Sequence, residues 1–141
     1  MPFPVISFII PYCERPYIED EARLIAQLEA LAEADVPDSE VVLHVSGKLP
    51  KTLVSLTATH SALTIVHEPE IPVVYSAGQA RNRAVERATG QYLFFLDVDL
   101  LLHPNLSSSI ASRAVLLTQE GETAFEMYPC LLYTSPSPRD S

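Results

Sequence analysis

Gly90-Gln91-Tyr92-Leu93-Phe94-Phe95-Leu96-Asp97-Val98-Asp99 is the stretch that decides how this sequence is read. Residues 91–96 form a strand-sized apolar run, the pattern of a strand covered on both faces of a parallel sheet. The run ends in two aspartates separated by one residue. On an extended chain, period-two geometry puts both carboxylates on one side and Val98 on the other. Two hard oxygen ligands on one side suit Mg²⁺ or Mn²⁺, completed by water and phosphate oxygens. Asp-x-Asp alone is a common pattern, and its place directly after a buried strand gives it weight. Two other readings stand beside this one. The pair can be a polar strand end turning into solvent, or Asp97 can be the phospho-acceptor of a receiver-like signalling domain, for which Cys13-Glu14 after the first strand is a poor match.

The segment before this stretch reads as a helix from Ala77 to Thr89, with Ser76 as N-cap and Gly90 in the C-capping position. Ala80, Ala84 and Ala88 recur every four residues, a small-residue ridge that lets the helix lie close on a sheet. Gly78 is expected to leave room for close approach. Arg81 and Arg83 fall in the first two turns, where cations oppose the helix dipole. An anion bound at the helix start would resolve that conflict. The plain alternative is two solvated arginines.

Further toward the N-terminus, Val5 to Ile10 is another apolar run, expected to end at Pro11. Residues 19–34 read as a helix with an acidic first turn and a stripe of Ala22, Ile25, Leu28 and Ala32. Glu40 to Ser46 and Leu63 to His67 are expected strands, with a short helix between them over residues 51–60. On the other side, residues 104–118 look helical, with Ile110, Ala114 and Leu117 on one face. Residues 123–128 suggest a further strand. This alternation predicts an α/β fold, an open, mostly parallel sheet with helices on both faces. Ligands of such sheets bind beyond the C-terminal strand ends. Four segments meet that condition: Pro11 to Arg15, Ser46 to Lys48, Glu68 to Pro69, and Asp97 to Asp99.

Composition narrows the function further. The chain of 141 residues is one modest domain, and its net charge of −9 disfavours a nucleic-acid partner. No apolar run approaches the length of a membrane span, and no signal-peptide layout is present, so a cytoplasmic location is expected. Cys13 and Cys130 make no zinc or disulfide framework. His44, His60, His67 and His103 show no metal-binding spacing, and each reads as a packing or surface residue, His103 alone lying near the Asp pair. Ser107-Ser108-Ser109 has no paired base and reads as helix surface. Residues 130–140 resemble a translated sequencing-library adaptor, and their Ser/Pro composition would otherwise read as a disordered tail. The expectation is a partial domain over residues 1–129, truncated, followed by a non-native tail over 130–141.

Val5-Ile6-Ser7-Phe8-Ile9-Ile10-Pro11-Tyr12, followed by Glu14-Arg15, resembles the opening strand and loop of family 2 glycosyltransferases. Ala80-Arg81-Asn82-Arg83-Ala84 and the run from Ala88 through Asp99 resemble that family's Ala-Arg-Asn helix, Gly-Tyr strand and Asp-x-Asp ending. The likeness spans roughly residues 4–118. It implies a Rossmann-like A-type glycosyltransferase fold, a nucleoside-diphosphate sugar donor (most simply a UDP-sugar), Mn²⁺ or Mg²⁺, a saccharide or lipid-linked acceptor, and inversion at the anomeric carbon. By position, Pro11, Tyr12, Glu14 and Arg15 would line the nucleoside pocket. Arg81 would sit near the base or diphosphate, Asp97 would face the ribose or metal, and Asp99 would bind the metal.

Two departures qualify the resemblance. The family's second strand usually ends in acidic residues that help hold the base, whereas here it reads His44-Val45-Ser46-Gly47. The family's catalytic base lies well downstream, and Glu120, Glu122 and Glu126 come too early for that role, so no catalytic residue is assigned. A fragment without that base is expected to turn over nothing. The alternative from another class is a catalytically silent nucleotide-binding module.

Overall fold

The computed structural model describes residues 4–13, 18–34, 36, 38–71, 74, 76–98 and 104–121. Eight elements follow in order: β1 (Ile6–Cys13), α1 (Ile18–Ala34), β2 (Ser39–Ser46), α2 (Lys51–Thr57), β3 (Leu63–Glu68), α3 (Ala77–Arg87), β4 (Tyr92–Phe95) and α4 (Pro104–Glu120). The strands form one sheet in the order β3-β2-β1-β4, with every neighbouring pair parallel. The expected α/β architecture is therefore present. The order also removes the receiver-like reading. Receiver domains place β3 beside β1, whereas here β2 lies between them, as in dinucleotide-binding sheets.

Strand alternation sorts the side chains into two layers. Ile6, Phe8, Ile10 and Tyr12 of β1 join Val41, Leu43 and Val45 of β2 on one face. Leu24, Leu28 and Leu31 of α1 cover that face with Ile110, Ala111 and Ala114 of α4. Phe8 and Phe94 meet edge-on there, with ring centroids 5.9 Å apart. On the opposite face, Ile9 and Val42 pack against Ala84 of α3, with Val66, Val85 and Ala88 around them. The alanine ridge does what its spacing suggests: Ala80 and Ala84 are buried, so the helix backbone approaches the sheet closely.

Several local expectations are corrected. Pro11 does not end β1, which runs on to Cys13. The carbonyl of Ile9 points toward β4, accepting from the Leu96 amide at 2.9 Å. Pro11 shares that parity, and the β1–β4 ladder ends at the Ile9–Phe95 pair. Its missing N–H therefore falls where no ladder partner is required.

The inward face of α1 is also rotated from the expected stripe. Leu24, Gln27, Leu28 and Leu31 are buried, whereas Ala22 is exposed. The short helix α2 stops at Thr57, before the expected His60.

Helix α3 ends at Arg87, with Ala88 as an extended C-cap, so Gly90 is not the capping residue. Its role is close approach. A Cβ there would lie 2.4 Å from Ser7 Oγ and 2.7 Å from the Ser7 backbone nitrogen. Gly78 needs no such room, since a Cβ would meet only Ser76 Oγ, at 3.6 Å. The expected strand at 123–128 and the tail at 130–141 lie outside the described residues.

Candidate functional site

Because all four strands run parallel, their C-terminal ends form one edge carrying Cys13, Ser46, Glu68 and the chain leading to Asp97. The strand order reverses between β1 and β4, and ligands of doubly wound sheets bind at such a switch point. Pro11 and Tyr12 flank it from β1, and Asp97 flanks it from β4. Tyr12 is only 4% exposed and belongs to the core on the α1 side. Pro11 is buried beside His44 in the register of the sheet. Both shape the floor of the edge in the described chain. Glu14, Arg15, Asp99 and His103 lie outside the described residues.

Asp97 is held in a specific way. β4 ends at Phe95 and Val98 lies in a turn, so among the described residues the strand stops before Asp97. Val98 packs against the main core, which turns Asp97 outward. Arg81 Nη2 donates to Asp97 Oδ1 at 2.5 Å. Arg81 thus has a carboxylate partner within the protein. The pair is open to solvent, with side chains 31% and 50% exposed for Arg81 and Asp97. Among the described residues, Asp97 Oδ2 has no hydrogen-bond partner.

Arg83, two residues along α3, reaches the other flank of the edge. Its Nη1 donates to Glu68 Oε2 at 3.0 Å, at the end of β3. The other oxygen of Glu68 lies 2.6 Å from His44 Nε2. A carboxylate only accepts, so His44 Nε2 carries the hydrogen. The His44 hydrogen bond, with help from Arg83, holds the Glu68 carboxyl below its ordinary value of 4.5. Next to this pair, Gly47 adopts φ 100°, a conformation that favours glycine. Its N–H donates to the Glu68 carbonyl at 2.8 Å, and its carbonyl accepts from His67 Nε2 at 2.6 Å. β2 therefore closes with a histidine-anchored turn. Sequence reasoning assigned no role to Glu68 and His44 as a pair. The available signal was their matching placement, His44 on β2 and Glu68 at the end of its neighbour β3.

A divalent cation needs several hard oxygens. Among the described residues, no group of three metal-ligating side chains gathers. Asp97 offers one partly exposed carboxylate, a hard oxygen donor of the right chemical class, at the C-terminal edge of the sheet. A cavity of about 110 Å³ lies elsewhere, lined by Phe8, Val36, Val41 and His60 among others. His60 and Ala62 precede β3 and Ser39 opens β2, so this cavity belongs to the opposite edge of the sheet. Among the described residues, no helix is long and apolar enough to cross a membrane.

The sheet order and its charged switch-point edge define a doubly wound α/β domain, and comparison with known proteins specifies its family. The model of glycosyl transferase family 2 matches residues 7–115, and the chain belongs to that family. No curated protein matches. Among solved structures, S. aureus TarS 1–349 is similar, with a TM-score of 0.62 and 22% identity over 82% of this chain and 33% of that one. TarS 1–349 is also known in complex with UDP-GlcNAc, at a TM-score of 0.61 and 22% identity over 82% of this chain and 32% of that one. The mannosyltransferase PcManGT from Pyrobaculum calidifontis, in complex with GDP-Man and Mn²⁺, has a TM-score of 0.55 and 25% identity over 77% of this chain and 32% of that one. The likeness to TarS is one of fold. The chain spans about a third of the length of these structures.

Proposed function

We propose that the chain forms the donor-binding part of a glycosyltransferase that uses a nucleoside-diphosphate sugar, most simply a UDP-sugar. The observation that carries this reading is the Arg81–Asp97 pair at the β1–β4 switch point of a family 2 domain. Pro11, Tyr12, Glu14 and Arg15 would border the nucleoside, and Arg81 would face the base or diphosphate. Asp97 and Asp99 would hold Mn²⁺ or Mg²⁺, which offsets charge on the departing diphosphate. In the inverting reaction, an acceptor hydroxyl oxygen bonds to the anomeric carbon as the bond to the diphosphate oxygen breaks. A carboxylate base takes the hydroxyl proton. We assign no residue of this chain to that base. The binding of UDP and GDP-mannose by structural neighbours supports a nucleotide-sugar donor.

Calorimetry of UDP with Mn²⁺ tests the site. The wild-type chain is expected to bind the pair, and Asp97→Ala and Asp99→Ala should each weaken binding about tenfold or more. Equal affinity in wild type and both variants would remove the assignment.

A further inference from the structure

Gln27 is the polar residue that the apolar pattern of α1 does not explain. It occupies the inward face with Leu24, Leu28 and Leu31, and it is 0% exposed. A buried primary amide costs stability unless its hydrogen bonds are made, and leucine would be the default at such a position. The Gln27 amide Nε2 donates to the Asp97 backbone carbonyl at 3.2 Å, across 70 residues of sequence.

That carbonyl lies just past β4. Among the described residues, the backbone bond nearest this end of the strand is Leu96 N–H to the Ile9 carbonyl. Beyond it, Asp97 is gripped twice. From the α1 face, Gln27 holds its backbone. From the α3 face, Arg81 holds its carboxylate. A carboxylate that must meet a ligand needs its backbone fixed as well as its side chain, since displacements on the order of 1 Å at a site cost about a hundredfold in rate.

We infer that Gln27 is a positioning residue for the donor site, fixing the Asp97 turn from behind through its amide-to-carbonyl hydrogen bond. This rests on the reading of Asp97 as a donor-site residue. In this role Gln27 acts through the Asp97 backbone carbonyl.

The test uses Gln27→Leu and Gln27→Met, which remove the donor and keep apolar bulk in the core. Amide hydrogen exchange on the 141-residue chain is the first measurement. Both variants should speed exchange at Leu96 about tenfold or more while leaving Val42 and Leu43 in the sheet centre unchanged. Calorimetry of UDP with Mn²⁺ is the second, run beside Asp97→Ala. Both Gln27 variants should lose about tenfold in affinity with a thermal midpoint within a few degrees of wild type. A merely structural glutamine would instead lower the midpoint and leave the affinity of the folded protein unchanged. Unchanged exchange at Leu96, or unchanged affinity where Asp97→Ala loses it, overturns the inference alone. If neither the wild type nor Asp97→Ala distinguishes Mn²⁺-UDP from buffer, the donor-site reading falls, and the role of Gln27 in it with it.

Discussion

The two edges of the sheet handle polar groups in opposite ways. At the edge where β1 and β2 begin, one carboxylate oxygen is saturated. Glu40 Oε2 accepts from Ser7 Oγ at 2.6 Å, from the Thr89 amide at 2.6 Å and from Thr89 Oγ1 at 3.1 Å. Ser7 Oγ in turn accepts from the Gly90 amide at 2.9 Å. The network joins both central strands to the chain entering β4 and leaves no room even for a methyl group at Gly90. At the opposite edge, Arg81 and Arg83 splay apart to Asp97 and Glu68, and both carboxylates remain partly exposed. One edge locks the sheet, and the other keeps charge available. A binding site needs both, because the open edge can hold its geometry only on a rigid frame.

The largest test breaks the locked edge. Gly90→Ala drives a Cβ into the Ser7 backbone, which cannot swing aside as a side-chain tip would. A loss of about 3 kcal/mol in unfolding free energy is expected, read from denaturant midpoints. Glu40→Ala should cost less, about 2 kcal/mol, since it removes one acceptor but allows water to reach exposed Thr89. Neither variant should alter the affinity of the folded protein for Mn²⁺-UDP. Weakened binding at preserved stability would show that the two edges are not separable.

The open edge is sharpened by comparing its two arginines. Arg81→Ala and Arg83→Ala should each change stability by less than about 1 kcal/mol, as is usual for exposed ion pairs. Their effects on Mn²⁺-UDP binding should differ. Arg81→Ala frees Asp97 at the switch point and should weaken binding about tenfold, while Arg83→Ala should leave it within about twofold. Equal losses would place the site across the whole edge rather than at its β4 side.

Which of these features a sequence can show depends on the range of the interaction. The Ala80–Ala84 ridge, the Ser76 cap and the positions of the strands are local patterns, legible from their neighbours. The two-sided burial expected of the 91–96 run is not found, since Leu93 and Phe95 are 39% and 51% exposed. The cap is confirmed by the Gln79 amide donating to Ser76 Oγ. Gly90 illustrates an ambiguity: a glycine after a helix suits a C-cap and a close backbone approach equally, and only the position of Ser7, 83 residues away, decides. Gln27 was hidden for the same reason, since its partner lies 70 residues downstream. Arg81 and Arg83 stand out in the sequence because they oppose the helix dipole, and Asp97 and Glu68 because they follow strands, but the pairing of one set with the other does not. Strand ends could be placed at one edge from topology; pairings across that edge could not.

The smallest expected effect concerns protons at the β3 flank. In the folded protein the Glu68 carboxyl is held below its ordinary value of 4.5, chiefly by the His44 hydrogen bond. The folded state therefore binds that proton less readily than the unfolded chain. The stability it contributes is fully present above pH 4.5 and is lost as pH falls through the lowered folded value. Buried His60 acts in the same direction in a higher window. Burial lowers its pKa below 6.5, so stability falls as pH drops from 6.5 toward that lowered value. Two separate acid-side losses should thus appear in urea midpoints measured against pH. Glu68→Gln should flatten only the lower one, and His60→Phe only the upper one. With Glu68 at 37% side-chain exposure, solvent screening keeps its loss small. If Glu68→Gln instead removed most of the pH dependence and also abolished Mn²⁺-UDP binding, the β3 flank would be part of the site and the division between its two arginines would be wrong.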